Sequence, residues 1–244
     1  MTLLITGGTG YLGGELVRQA GPDAAHPRLE LLDAAAVRRG FETLRPSAVI
    51  HTAYRQDDPR VNANGSAAVA QAAAETGARL IHISTDLVFD GRASTPYTED
   101  DEPNPLDGYG RSKLEAERRV LELHSEALVV RTSLLVGRER PGPQEQAVLE
   151  AARGERDMAF FEDEWRSPIP VSDLAAALLE LAALDIAGIL HVAGAEPLNR
   201  YELACMIAAA HGVPTERLRR GSLAKSGLER AAHCVLDSSR AGAC

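Results

Sequence analysis

Thr2–Thr6 reads TLLIT and Gly7–Gly13 reads GGTGYLG, and this stretch decides the architecture. Three consecutive apolar residues flanked by threonines read as a buried strand, and the run that follows to Ala20 has helical periodicity. Glycines at 7, 10 and 13 therefore lie between a strand and a helix, the setting in which this spacing has a mechanism. Gly7 permits the tight turn, Gly10 lets a pyrophosphate approach the main chain, and Gly13 lets helix and strand pack closely. The free N–H groups and partial positive charge of the helix start would face the phosphates. Gly7, Thr9, Gly10, Tyr11, Leu12 and Gly13 are thus the candidate dinucleotide-contacting residues.

Downstream, short apolar runs alternate with helical patterns. Ala48–Ala53 (AVIHTA), Leu80–Ser84 (LIHIS), Leu128–Thr132 (LVVRT) and Ile189–Ala193 (ILHVA) read as strands. Asn64–Thr76, Arg111–His124 and Tyr201–His211 read as helices. This alternation predicts an α/β fold, a doubly wound parallel sheet of the Rossmann type with a small C-terminal substrate lobe. Residues 1–136 are expected to form the NAD(P)-binding domain, and residues 137–244 to complete the sheet and build the lobe. The polar, proline-rich loops Asp90–Gly108 and Gly137–Pro143 are expected near the carboxyl ends of the strands, where ligands bind in such sheets. The segment Gly21–Asp33 is short and yields no clear second strand; Asp33 suits the ribose of NAD and Arg28 the phosphate of NADP, so the choice between NADPH and NADH stays open.

Tyr109 and Lys113 lie four residues apart in YGRSK at a helix start, which puts both on one face. Lys113 and Lys225 are the only lysines in the chain, so this pairing is informative. Reduction of a carbonyl needs a proton donor, and a phenol with a pKa near 10 is sluggish at neutral pH. An ammonium roughly 5 Å away, at an effective dielectric near 20, favours the phenolate by about 3 kcal/mol. That would draw Tyr109 toward the neutral range. Ser84, Thr85 and Asp86, at the end of the LIHIS strand, are the candidates for orienting a substrate carbonyl.

Composition narrows the partners. A net charge of −9 disfavours nucleic acid and anionic membrane surfaces. No stretch approaches the roughly 20 apolar residues of a membrane span, and the N-terminus lacks the pattern of a signal peptide. Cys205, Cys234 and Cys244 have no metal-like spacing, so a reduced cytoplasmic location without a bound metal is expected. His51 and His82 read as core histidines, and Glu99–Glu102 as a solvated acidic run. Phe160, Phe161 and Trp165 read equally well as lobe core or pocket wall.

Together, LITGGTGYLGGEL, RPSAVIHTA, VNANGSAAVAQAAAETGARLIHISTDLVFDG, EPNPLDGYGRSKLEAE and VVRTSLLVG resemble the extended short-chain dehydrogenase/reductases, closest to the dTDP-4-dehydrorhamnose reductase branch. WRSPIPVSDLA, ILHVAGAEPLNRYELA and VLDSSRA resemble its substrate-lobe portion, although SPIP stands where the branch more often has a Pro-Thr pair. The resemblance implies NAD(P)H-dependent reduction of a 4-keto-6-deoxy sugar nucleotide by Thr85, Tyr109 and Lys113. Thr85 would hydrogen-bond the keto oxygen, Tyr109 would give it a proton, and Lys113 would hold the nicotinamide ribose and tune Tyr109. It also implies Thr52 and Ala53 against the cofactor, Asp33 near its adenine, and Asp86 and Phe89 near the sugar. Asn62 matches an asparagine of the family, Arg131 is expected to brace its strand, and a homodimer is a family-level expectation. The alternatives are an epimerase or dehydratase with tightly held NAD, and a non-catalytic regulatory subunit on the same fold.

Overall fold

The computed structural model describes residues 2–137 and 140–243, so Cys244 lies outside the described residues. The chain runs β1 (Leu3–Thr6), α1 (Tyr11–Ala20), β2 (Ala24–Ala25), α2 (Ala34–Leu44), β3 (Ala48–His51), α3 (Ser66–Thr76), β4 (Arg79–Thr85), α4 (Gly108–Leu123) and β5 (Leu128–Thr132). Helices α5 (Pro143–Arg153), α6 (Val171–Leu181) and α7 (Arg200–Ala210) follow, with the strand Gly188–His191 between the last two. The main sheet has the order Gly188–His191, β5, β4, β3, β1, β2, and every pairing in it is parallel.

Strand alternation sorts the core into two layers. Leu3 and Ile5 pack with Leu12 and Leu16 of α1 and with Leu174 and Leu178 of α6. Leu4 points the opposite way, into a cluster with Phe41 of α2, Val69 of α3 and Val120 of α4. Each fully buried leucine or phenylalanine contributes about 1.5–3 kcal/mol relative to exposure. The sheet is therefore wrapped on both faces, the parallel α/β architecture that the strand–helix alternation predicts. Among the described residues, no helix is long and apolar enough to cross a membrane.

Four elements escape a reading of sequence periodicity. Strand β2 is only two residues long and pairs with β1 through Leu3 and Leu4. Helix α2 buries only Val37 and Phe41, too thin a stripe to stand out in AAAVRRGFETL. Helices α5 and α6 fill the weakly patterned stretch before and after Pro170. The acidic run also departs from expectation: the Glu99 side chain is buried, accepts from the His191 N–H at 2.9 Å and pairs with Arg240.

The second part of the chain is built from α5, α7 and short sheets. Phe160 is buried between α5 and α7 with Leu149, Leu203 and Ala204. Trp165–Arg166 pairs with Leu198–Asn199 and with His233–Cys234.

Candidate functional site

In the sheet order, β1 connects outward to β2 on one side while β3 lies on the other, which creates the crevice where such sheets bind ligands. The glycine turn fills its mouth. Gly7 has φ +73°, a left-handed conformation, and a Cβ there would lie 2.8 Å from both Ala53 N and Thr52 Oγ1. A Cβ on Gly13 would lie 2.1 Å from the Gly7 carbonyl oxygen, so α1 reaches the turn only with glycine at that position. Gly10 differs: a Cβ there would approach only the Gly7 carbonyl oxygen, at 3.2 Å. Thr52 Oγ1 donates to the Thr6 carbonyl at 2.7 Å, fixing the segment after β3 against β1.

Gly10 caps α1 without a side-chain hydrogen bond, and the first turn of α1 holds no acidic residue. The uncapped amides at the start of α1 fit an anionic phosphate, and a nicotinamide dinucleotide would be held there by main-chain N–H groups. Leu12 is buried in the core beneath, so only its main chain could take part, while Thr9 is exposed.

Asp107 caps α4 by accepting from the Gly110 N–H at 2.6 Å. A Cβ on Gly110 would lie 2.2 Å from the Leu87 carbonyl oxygen, so glycine lets α4 press against the turn after β4. This contact brings Tyr109 and Lys113 to the end of β4. Lys113 is buried and its ammonium donates to the Ile83 carbonyl. Burial lowers its pKa to about 8, and the nearby Glu117 carboxylate opposes that shift. Tyr54, the residue after Ala53, sets its ring 5.8 Å from that of Tyr109. A continuous path therefore runs from Gly7 through Ala53 and Tyr54 to Tyr109.

The tuning of Tyr109 runs opposite to the sequence expectation. Its phenol is pushed above the usual value by burial first, then by Tyr54, Asp86 and Asp107. Desolvation of the phenolate is the largest cause, and the lysine ammonium is engaged with the Ile83 carbonyl.

Thr85 is turned into its own chain, donating to Asp86 Oδ1 and accepting from the Leu87 N–H, both at 3.2 Å. Asp86 is buried: Ser133 Oγ donates to its Oδ2 at 2.6 Å and the Arg166 Nε lies 3.7 Å away. Two expected ligand contacts are corrected. Phe89 has no exposed surface, since it stacks on Tyr97 at 4.1 Å, lies under the Arg131 guanidinium at 5.1 Å and meets the edge of His191. Asp33 caps α2 by accepting from the Ala36 N–H at 2.9 Å, eight residues beyond the end of β2, so its carboxylate serves the start of that helix.

Behind the helix, Ser84 donates to Glu117, and Arg131 forms a two-pronged ion pair with the same carboxylate at 2.8 and 3.1 Å. Asn62 accepts from the Arg55 N–H and donates to the Arg55 carbonyl and to Ser112 Oγ, tying the loop that carries Tyr54 to α4. His51 and His82 are buried side by side, 5.3 Å apart. Sequence reasoning missed Tyr54, although it directly follows the expected cofactor residue Ala53. It also missed Arg166, Arg200 and Arg230, which gather around Asp86 and Glu164. That gathering spans elements far apart in sequence, and no local signal marks it.

The sequence profile of the family described as RmlD substrate binding domain matches residues 1–243. The chain is 36% identical to methionine adenosyltransferase 2 subunit beta of Bos taurus, over 98% of this chain and 80% of that protein. It is 35% identical to dTDP-4-dehydrorhamnose reductase of Mycobacterium tuberculosis, over 91% of this chain and 80% of that protein. Among solved structures, it is similar to dTDP-4-dehydrorhamnose reductase of Bacillus anthracis in complex with NADP: TM-score 0.87, 26% identity, covering 97% of this chain and 90% of that one.

Proposed function

Because this chain belongs to the RmlD substrate binding domain family, we propose that it uses NADPH or NADH to reduce a keto group, with a 4-keto-6-deoxy sugar nucleotide as substrate. The observation that carries this reading is the path Gly7–Ala53–Tyr54–Tyr109, which joins a phosphate-ready turn to a protonated phenol. We take residues 1–136 as the cofactor domain and 137–244 as the region that completes the sheet and forms the substrate lobe.

When bound, a reduced nicotinamide supplies the hydride. Tyr109 gives its proton to the keto oxygen, and its raised pKa keeps that proton in place until negative charge builds on the oxygen. Lys113 has three donors; Ile83 takes one, which leaves two for ribose hydroxyls. Thr85 Oγ1 reaches the keto oxygen by giving up its long hydrogen bond to Asp86. Among the described residues, Arg166, Arg200 and Arg230 gather around the carboxylates of Asp86 and Glu164, three cations to two anions, which suits a substrate diphosphate.

The test is oxidation of NADH and NADPH in the presence of dTDP-4-keto-6-deoxy sugars, with Tyr109→Phe beside the unaltered protein. A loss of about 10²-fold or more is expected on removing the proton donor. Unchanged turnover in Tyr109→Phe excludes it as the acid.

A second reading is a regulatory subunit that binds a nicotinamide dinucleotide without turning over a sugar. Relatives named as methionine adenosyltransferase 2 subunit beta favour it, at 36% identity over 98% of the chain. Cofactor binding without oxidation on any keto sugar, together with stable copurification of a second enzyme, selects that reading.

A further inference from the structure

Tyr11 belongs to two parts of the molecule at once. Its main chain is the first residue of α1, inside the glycine turn, whereas its phenol donates to Glu145 Oε2 in the first turn of α5 at 2.9 Å. Glu145 is buried, and its oxygens also accept from the N–H groups of Gly137 at 2.9 and 3.0 Å and of Gly142 at 2.8 Å. One carboxylate thus gathers the tyrosine and both glycines.

The two glycines have the wrong geometry to be explained by backbone freedom. Gly142 has φ −73°, which any residue adopts. A Cβ there would lie 2.9 Å from Tyr11 Cε1, and a Cβ on Gly137 would lie 2.3 Å from the Tyr11 hydroxyl. Both positions are small because the ring lies against them. Burial, followed by the Glu145 hydrogen bond, pushes the Tyr11 phenol above its usual value, so it remains a donor across the physiological range. The tyrosine, its acceptor and the space around its ring form one fitted contact between the turn and α5.

We infer that Tyr11 is a positioning residue that carries occupancy of the glycine turn to α5 through Glu145. The inference rests on the reading of the turn as a nicotinamide dinucleotide site, and it holds whether the chain reduces a sugar or regulates a partner. Phosphate held by the main chain of residues 10–13 restrains the start of α1, and with it the Tyr11 ring. The ring restrains Glu145, which holds the N-terminal turn of α5. Helix α5 packs on α7, whose first residue, Arg200, donates to Gln144 at 3.0 Å, so the effect reaches the arginine group beside Asp86.

The experiment is hydrogen–deuterium exchange on the full chain with and without NADPH, with affinity followed by nicotinamide fluorescence. In the unaltered protein, NADPH is expected to slow exchange in residues 3–20 and also in residues 143–153, the latter by about fivefold or more. In Tyr11→Phe, which keeps the ring and removes only the donor, slowing in 3–20 persists and slowing in 143–153 is lost. Exchange without NADPH separates this from a general loosening of the fold. Should Tyr11→Phe fail to fold, Glu145→Gln leaves one acceptor oxygen for three donors and weakens the coupling in the same direction. Persistence of the NADPH effect on 143–153 in the variant overturns the inference, as does its absence in the unaltered protein while 3–20 is protected. Protection in neither region means that the turn does not bind the dinucleotide, and the cofactor reading then fails first.

Discussion

The ammonium of Lys113 donates to the main-chain carbonyl of Ile83, which ties the helix bearing Tyr109 to the end of β4. Burial holds this lysine near a pKa of about 8 against an ordinary 10.5. The cation is therefore about half present near pH 8, gaining below that pH and lost progressively above it. Any step that needs the ammonium should decline through that pH, while Tyr109 stays protonated throughout. A profile of kcat/KM from pH 6 to 10 checks this, and a falling limb at 10 or above would count against it. Glu117→Gln removes the charge that supports the ammonium, so the limb should move lower. Stability has the opposite sense: the folded chain sheds this proton before the unfolded chain does, so this group's contribution rises with pH between about 8 and 10.

Gly10 and Gly13 should respond differently to alanine. At 13 the new Cβ meets the Gly7 carbonyl at 2.1 Å, and the turn must shift, at a cost of about 1–3 kcal/mol or more. At 10 the nearest atom is 3.2 Å away, so the fold should survive while the approach of a phosphate is blocked. Urea unfolding and NADPH titration separate the two. A Gly10→Ala protein that binds NADPH with unchanged affinity would contradict the assignment of the turn.

Asp33→Ala tests a cap against a ribose contact. Loss of the bond to the Ala36 N–H should cost about 1 kcal/mol of stability. The ratio of NADH to NADPH affinity should not change, because Asp33 stands on α2 rather than at the end of β2. A change in that ratio would restore the residue to the cofactor site.

Phe89→Leu should lower stability by about 1–3 kcal/mol, since the ring fills a sealed space between Tyr97, His191 and Arg131. Substrate KM should stay within about twofold if no contact with substrate is lost. Melting curves and steady-state kinetics on the same preparation decide the matter.

Much of this was legible in the sequence because the information is local. The order strand, Gly7, Gly10, Gly13, helix constrains neighbouring residues only, and the β1–α1 turn follows it. Tyr109 and Lys113 share a face because four residues make about one helical turn. The α/β class follows from alternating apolar periods. By contrast, Asp33 stood at a plausible distance in sequence, and only its hydrogen bond with the Ala36 N–H showed that it caps a helix.

The sequence by itself determined the α/β class, the glycine turn and the tyrosine–lysine helix, since each is written in a pattern local to its own segment. The tertiary structure alone decided that Phe89 is core, that Tyr109 is raised rather than lowered, and that the Tyr11 phenol meets Glu145, 134 residues away. Those outcomes depend on burial and on contacts between distant segments, and no spacing along the chain encodes either.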